Sequence, residues 1–341
     1  MKKKGFTLVE LLAVIVILAI IALIATPIIL GVIETSKKGA SENSALGYLD
    51  AVEKQIARNL LDEDVRNDIK NRAYSVEELK NLGVKVKGSE PSNGIIEIKN
   101  GEVKNYILGI DGYAVENGKA TKPSNTKKYE NGYDVYYNPV SGEKCSASDA
   151  VSTTGKKDGC MKWYVFNDSE GASTVNVILY HNTTAKVAWN SSGSNETGMK
   201  EVLDSLTNDT TGWKVPARLI TANEIAKITN HQTFDSNKTG QTWYCLATNI
   251  QDATGMPYCN KYTNIRMNWL FDYTDCTYGP DDWGCIHKDA STYGYWTSTP
   301  YTGKPSGAWH VDGRGALNNG TVSVGNSGVR PVITISKSKL S

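Results

Sequence analysis

Net charge is nearly absent from this chain: 37 Lys and Arg stand against 36 Asp and Glu, a formal balance of +1. No basic tract interrupts the body of the sequence, so there is no electrostatic footprint for nucleic acid, and none is expected as a partner. Cysteine is missing until Cys145, the first of six, and the other five follow it. An even number confined to one region suits oxidised pairs outside the cytoplasm. No C-x2–4-C spacing occurs, which argues against a structural zinc site. Phenylalanine and histidine are scarce, with four of each, and the histidines are dispersed. What is present is Gly (31), Tyr (18) and Trp (8). Many turns and many amphipathic aromatics point to a β-rich, secreted-type surface. At 341 residues the chain fits two modest domains plus an appendage.

The appendage is N-terminal. No small-x-small cleavage site follows its apolar run, and the run is too long for a signal peptide core. From Phe6 it extends roughly 28 residues, about 42 Å as helix. A plain single-span anchor would keep Lys2, Lys3 and Lys4 inside and export the rest. Neither reading accounts for the Gly5-Phe6 step, nor for Glu10, a carboxylate in a stretch otherwise apolar from Leu8 to Ile33. A charge at the centre of a membrane helix costs on the order of 2.5–3.5 kcal/mol on insertion scales.

The stretch "KKKGFTLVELL" resembles the class III signal of type IV prepilins: a basic leader, Gly, Phe, then Thr-Leu-Val-Glu-Leu. The resemblance implies that a prepilin peptidase cuts between Gly5 and Phe6, that Phe6 is then methylated, and that Glu10 is the family's carboxylate. It also implies the cytoplasmic membrane as first location, other pilin subunits as partners, and an extracellular filament as destination. Cleavage would create a free amine at Phe6, with an unperturbed pKa near 7.7–8.0. Glu10 can pair with that amine within one helix or across two subunits. Either pairing neutralises two charges in an apolar bundle, and the second fixes axial register. Pro27 lacks an N–H and is expected to kink or loosen the helix, as in packed pilin filaments. A tolerated membrane-helix proline is the alternative.

The resemblance implies a leader 1–5 and a filament-core helix 6–33; composition then gives an amphipathic continuation 34–62, a small β headgroup 63–126, and an added domain 127–341. In the continuation Leu46, Leu49, Val52, Ile56 and Leu60 recur at helical spacing and are expected to face a sheet, with Asp50, Lys54 and Arg58 opposite. Ser75 with Glu78 forms a capping box, and Gly83 ends that short helix. Asn100-Gly101 and Asn117-Gly118 sit where two-residue hairpin turns belong, predicting an antiparallel meander. The polar stretch "ATKPSNTKKYENG" marks the boundary.

In the added domain Thr221 and Glu224 form another capping box. R-L-x-T-x-x-E, then Y-W-T-S and G-V-R-P-V, is similar to the C-type-lectin-like superfold of formylglycine-generating enzymes. There Arg218-Leu219 precede a core helix and Arg330-Pro331 lead into the closing strand. The expected fold class is therefore α+β: a long helix on a small antiparallel sheet, then a mixed, β-rich C-type-lectin-like domain. Formylglycine chemistry needs redox cysteines before the last strand, and no cysteine follows Cys285. The usual calcium–sugar triplets E-P-N, Q-P-D and W-N-D are missing too. Asp272, Asp275, Asp281 and Asp282 are oxygen ligands of a type suited to calcium, but acidic loops are usually solvated turns. His310 and Asp312 share a strand face without a visible third partner. Asn182 and Asn208 read as loop polarity rather than glycan acceptors. No catalytic residue, metal or cofactor is expected.

The cysteines fall into three sequence-adjacent pairs, Cys145 with Cys160, Cys245 with Cys259, and Cys276 with Cys285. Sequence alone does not choose among the 15 connectivities of six cysteines. The expected function is structural: a subunit of a type IV pilus or pilus-like filament, with the added domain displayed for adhesion to a host or surface ligand. A pseudopilin of a secretion or DNA-uptake machine, or a membrane-anchored binding protein, would use the same helix.

Overall fold

The computed structural model describes residues 7–59, 61, 69–150, 159–231, 234–240, 244–245, 268–270, 294–312 and 316–340. Helix α1 (Leu8–Asn59) runs unbroken through Pro27. Immediately before the proline, the Thr26 hydroxyl donates to Ala22 O at 2.6 Å, next to Leu23 O, the carbonyl that Pro27 leaves without its helical donor. The expected loosening at Pro27 is not seen as a break in this helix. A proline in a long apolar helix is tolerated when nearby hydroxyls re-satisfy the backbone.

The second half of α1 lies on a five-stranded antiparallel meander of β1 (Ala73–Ser75), β2 (Asn93–Lys99), β3 (Glu102–Ile110), β4 (Tyr113–Glu116) and β5 (Lys119–Thr121), in that spatial order. Asn100 and Gly101, Asn117 and Gly118 all have positive φ, as tight hairpin turns of the primed type require. Asp111-Gly112 makes a third such turn that the sequence reading did not single out. Helix α2 (Val76–Asn81) follows β1 through the expected Ser75–Glu78 capping box, and Gly83 follows in the left-handed region.

The buried face of α1 is Ser41, Ala45, Tyr48, Val52 and Ile56. Of the expected apolar face, Val52 and Ile56 are buried and Leu49 is partly buried, whereas Leu46 is 56% exposed. Leu60 lies outside the described residues. Asp50, Lys54 and Arg58 are solvent-facing as expected, with Lys54 2.5 Å from Asp50. Ile96, Ile98, Tyr106, Leu108, Ile110 and Val115 meet α1 from the sheet. Strand alternation puts Ile95 and Ile107 on the other face, and these are buried too. There β2 and β3 lie against β9 (Thr174–Leu179) and β17 (Val332–Ser336) of the C-terminal part.

Among the described residues, that part holds two six-stranded sheets. The first has the order β11 (Ala217–Arg218), β17, β9, β8 (Met161–Phe166), β6 (Asp134–Asn138), β7 (Glu143–Lys144). The second has β10 (Thr184–Val187), β16 (Ser327–Val329), β13 (Tyr295–Pro300), β14 (Gly307–Val311), β15 (Ala316–Thr321), β12 (Tyr244–Cys245). Helix α3 (Glu201–Asp209) packs by β10, and α4 (Ala222–Ile228) opens on the Thr221–Glu224 capping box. Phe166 and Ile178 of the first sheet, Ile225 of α4, and Trp309 and Val311 of the second share one core. Pro331 leads directly into β17, and β11 with Arg218 directly precedes α4. The architecture is α+β, with a long helix and antiparallel-rich sheets.

A disulfide joins Cys145 to Cys160, with Cα atoms 5.9 Å apart. Cys259, Cys276 and Cys285 lie outside the described residues, so the other two expected pairings do as well.

Candidate functional site

From Leu8 to Ile33, α1 leaves the body of the protein and packs on none of it. Leu8 is 81% exposed and Leu23 77%. The helix is long and apolar enough to cross a membrane. An apolar surface of this extent on a single helix marks a site for lipid or for other helices.

Three carboxylates of α1 set the aim of that segment. Glu34 accepts from the Tyr113 hydroxyl at 2.6 Å and from Lys122 Nζ at 3.2 Å. Glu42 accepts from the Ala120 N–H at 2.9 Å, and Glu53 from the Val103 N–H at 3.5 Å. Glu34 ties the helix to β4 and Lys122 immediately after the apolar run ends, and Glu42 and Glu53 tie it to β5 and β3 further along. The Glu34 carboxylate and burial together push the Tyr113 hydroxyl up to about 12.

At the N-terminal end Glu10 Oε2 accepts from the Thr7 N–H at 2.8 Å and from its hydroxyl at 2.7 Å, while the Glu10 N–H donates to Thr7 Oγ1 at 3.3 Å. This is a capping box, Thr-x-x-Glu, at the start of the helix. It supplies Glu10 with two donors from its own chain. Gly5 and Phe6 lie outside the described residues, and the Glu10–Phe6 pairing with them. The Thr7 role was legible as the same Ser/Thr-x-x-Glu pattern found at Ser75 and Thr221.

A second polar site lies where the head meets the C-terminal part. Arg218 is bidentate to Glu224, at 2.7 and 2.5 Å, and both are buried. Arg72 pairs with Glu78 at 3.1 Å, and Ser298 Oγ donates to the same Glu78 oxygen at 3.2 Å. Burial alone would raise the Glu78 carboxyl, but the Arg72 and Arg218 guanidiniums outweigh it and hold Glu78 below the usual carboxylate range. The two corners carry one pattern, Arg-x-x-(Ser/Thr)-x-x-Glu, at 72–78 and 218–224. Each runs from a short strand into a capped helix, and β1 lies near β11. A cavity of about 240 Å³ beside them is lined by Tyr48, Ser75, Glu77, Asn176, Glu224 and Lys227, among others.

The remaining sequence candidates are not brought together. His310 Nδ1 is 2.7 Å from Ser327 Oγ, both buried, and the ring stacks on Trp296 at 5.1 Å. Asp312 accepts from the Ala316 N–H at 3.0 Å. Asp272, Asp275, Asp281 and Asp282 lie outside the described residues. Among the described residues no cluster of three or more His, Cys, Asp or Glu could hold a metal. Neither fits the expected loop polarity: Asn182 is in a loop but buried, donating to Gly294 O at 2.8 Å, and Asn208 is exposed on helix α3. Trp163, Trp189, Trp269, Trp296 and Trp309 are core residues.

No curated protein and no solved structure matches the chain. Residues 1–26 match the prokaryotic N-terminal methylation motif. With the apolar helix, that motif indicates a type IV pilin-like or pseudopilin-type protein; it implies processing by prepilin peptidase and assembly with other pilin subunits, and it fits a membrane-anchored precursor.

Proposed function

We propose that this chain is a structural, non-enzymatic subunit of a type IV pilus or pilus-like surface filament, cut between Gly5 and Phe6 and methylated on Phe6. In this reading the C-terminal part is a C-type-lectin-like domain displayed for adhesion to a host or surface ligand. The observation that carries the reading is the exposed half of α1, continuous with a helix whose other half is bolted to the head. In a filament such helices bury one another in the core, and Glu10 exchanges its Thr7 cap for the Phe6 amine of a neighbour. The sheet has α1 on one face and the C-terminal part on the other. A helix-cored assembly therefore carries the C-terminal part on its outside, clear of the helix packing.

Electron microscopy of cells labelled with an antibody to the C-terminal part tests this, together with mass spectrometry of the mature N-terminus. Label along surface filaments and a chain beginning at Phe6 are the expected results. A chain beginning at Phe6 without surface filaments favours a pseudopilin. An uncut chain leaves a membrane-anchored binding protein.

A further inference from the structure

Lys337 and Asp168 form an ion pair in which neither side chain has any exposure, with Nζ 2.8 Å from Oδ2. Asp168 follows β8 in the turn toward β9, and Lys337 follows β17. The two strands that end here pair from Val332 with Ile178 to Ser336 with Thr174. The linker entering the C-terminal part crosses the same point. Lys337 Nζ donates to Lys127 O at 3.0 Å and lies 3.3 Å from Ser169 O and 3.4 Å from Thr126 O. The Tyr129 N–H donates to Asp168 Oδ2 at 2.8 Å, and the Tyr129 ring centre is 5.6 Å from Nζ.

The two carboxylate oxygens of Asp168 are unequal. Oδ2 holds the Tyr129 N–H and the lysine, whereas Oδ1 is buried with no hydrogen-bond partner among the described residues. An ionised carboxylate accepts at both oxygens, and leaving one dry in the interior is costly. An amide needs only one oxygen.

We propose that Lys337 and Asp168 condense into an intramolecular isopeptide bond. A proton passes from the Nζ ammonium to the carboxylate, giving an amine beside a carboxylic acid. The amine nitrogen attacks Cγ, and the Tyr129 N–H stabilises the charge that develops on Oδ2. The Cγ–Oδ1 bond breaks, and Oδ1 departs as water with two of the three Nζ protons. The third remains as the amide N–H, with Lys127 O as its acceptor. Ammonium and carboxylate thus become one amide and one water, with no oxidant, reductant or cofactor. The bond ties the domain's entry linker, its first long hairpin and its last strand at one point.

The intact mass of the wild-type full chain, purified in detergent, decides the matter after N-terminal processing and disulfides are accounted for. The expected mass is low by one water, and digestion yields a branched peptide joining the segments around 168 and 337. Lys337→Arg is expected to restore the missing water. A wild-type chain at full mass with only linear peptides overturns the proposal, as does a deficit that persists in Lys337→Arg. The wild-type measurements stand even if the variant does not fold.

Discussion

Arg218 and Glu224 sit 146 positions from their counterparts Arg72 and Glu78, yet all four side chains meet at one junction. Removing one partner of a buried pair strands the other, at about 3–5 kcal/mol. Arg218→Met is expected to lower unfolding stability by that amount in urea titration. Thr221→Ala removes only the cap and should cost about 1 kcal/mol. Tyr113 gives a pH signature. Its pKa is raised to about 12 in the fold, so the Glu34 bond contributes stability that is complete below the unfolded value near 10 and is lost as pH rises through 12. Unfolding midpoints should therefore fall between those values in wild type and change less in Tyr113→Phe. Glu10→Leu is expected to leave membrane insertion intact and reduce filament incorporation, read by co-assembly with wild type. The caps at Ser75 and Thr221 were legible in the sequence because Ser/Thr-x-x-Glu is local. The contact between the two corners was not, because a pairing so distant in sequence leaves no periodic trace.

At the scale of elements, the meander was legible because its turns announce themselves: Asn-Gly pairs demand positive φ at both positions. The buried face of α1 was legible only in part. Val52 and Ile56 are buried as their spacing suggests, but Leu46 is exposed, and Ser41, Ala45 and Tyr48 are buried instead. Burial on a helix is settled by the partner's shape as much as by its own hydrophobicity. Gly109 in β3 shows the same dependence. A Cβ there would lie 2.8 Å from Thr174 Oγ1 and 3.2 Å from Ser173 Oγ and Ser92 Oγ. Gly109→Val is expected to destabilise the contact between β3 and the β9 end by about 1–3 kcal/mol, the usual range for overpacking. Limited proteolysis should then cut the linker around residues 122–128 faster than in wild type.

For the whole molecule, the division of the chain at about residue 126 hides a dependence between its parts. The sequence shows a compositional boundary, and a polar linker does lie there, between β5 and β6. Yet the head's sheet is apolar on both faces, and Ile95 and Ile107 are 0% and 1% exposed only because the C-terminal part covers them. Exposing one such side chain costs about 1.5–3 kcal/mol, and the bare patch invites association. A small head with one α1 face as its whole core has little stability in reserve. A chain ending at residue 126 is therefore expected to aggregate in detergent solution and to lose protease resistance, whereas the full chain stays monodisperse. Adding Ile95→Ser and Ile107→Ser to the short chain should recover solubility, because it removes the patch without touching the α1 interface. If the unsubstituted short chain is monodisperse and as resistant as the full one, the head is an independent domain and the junction with the C-terminal part contributes nothing to it.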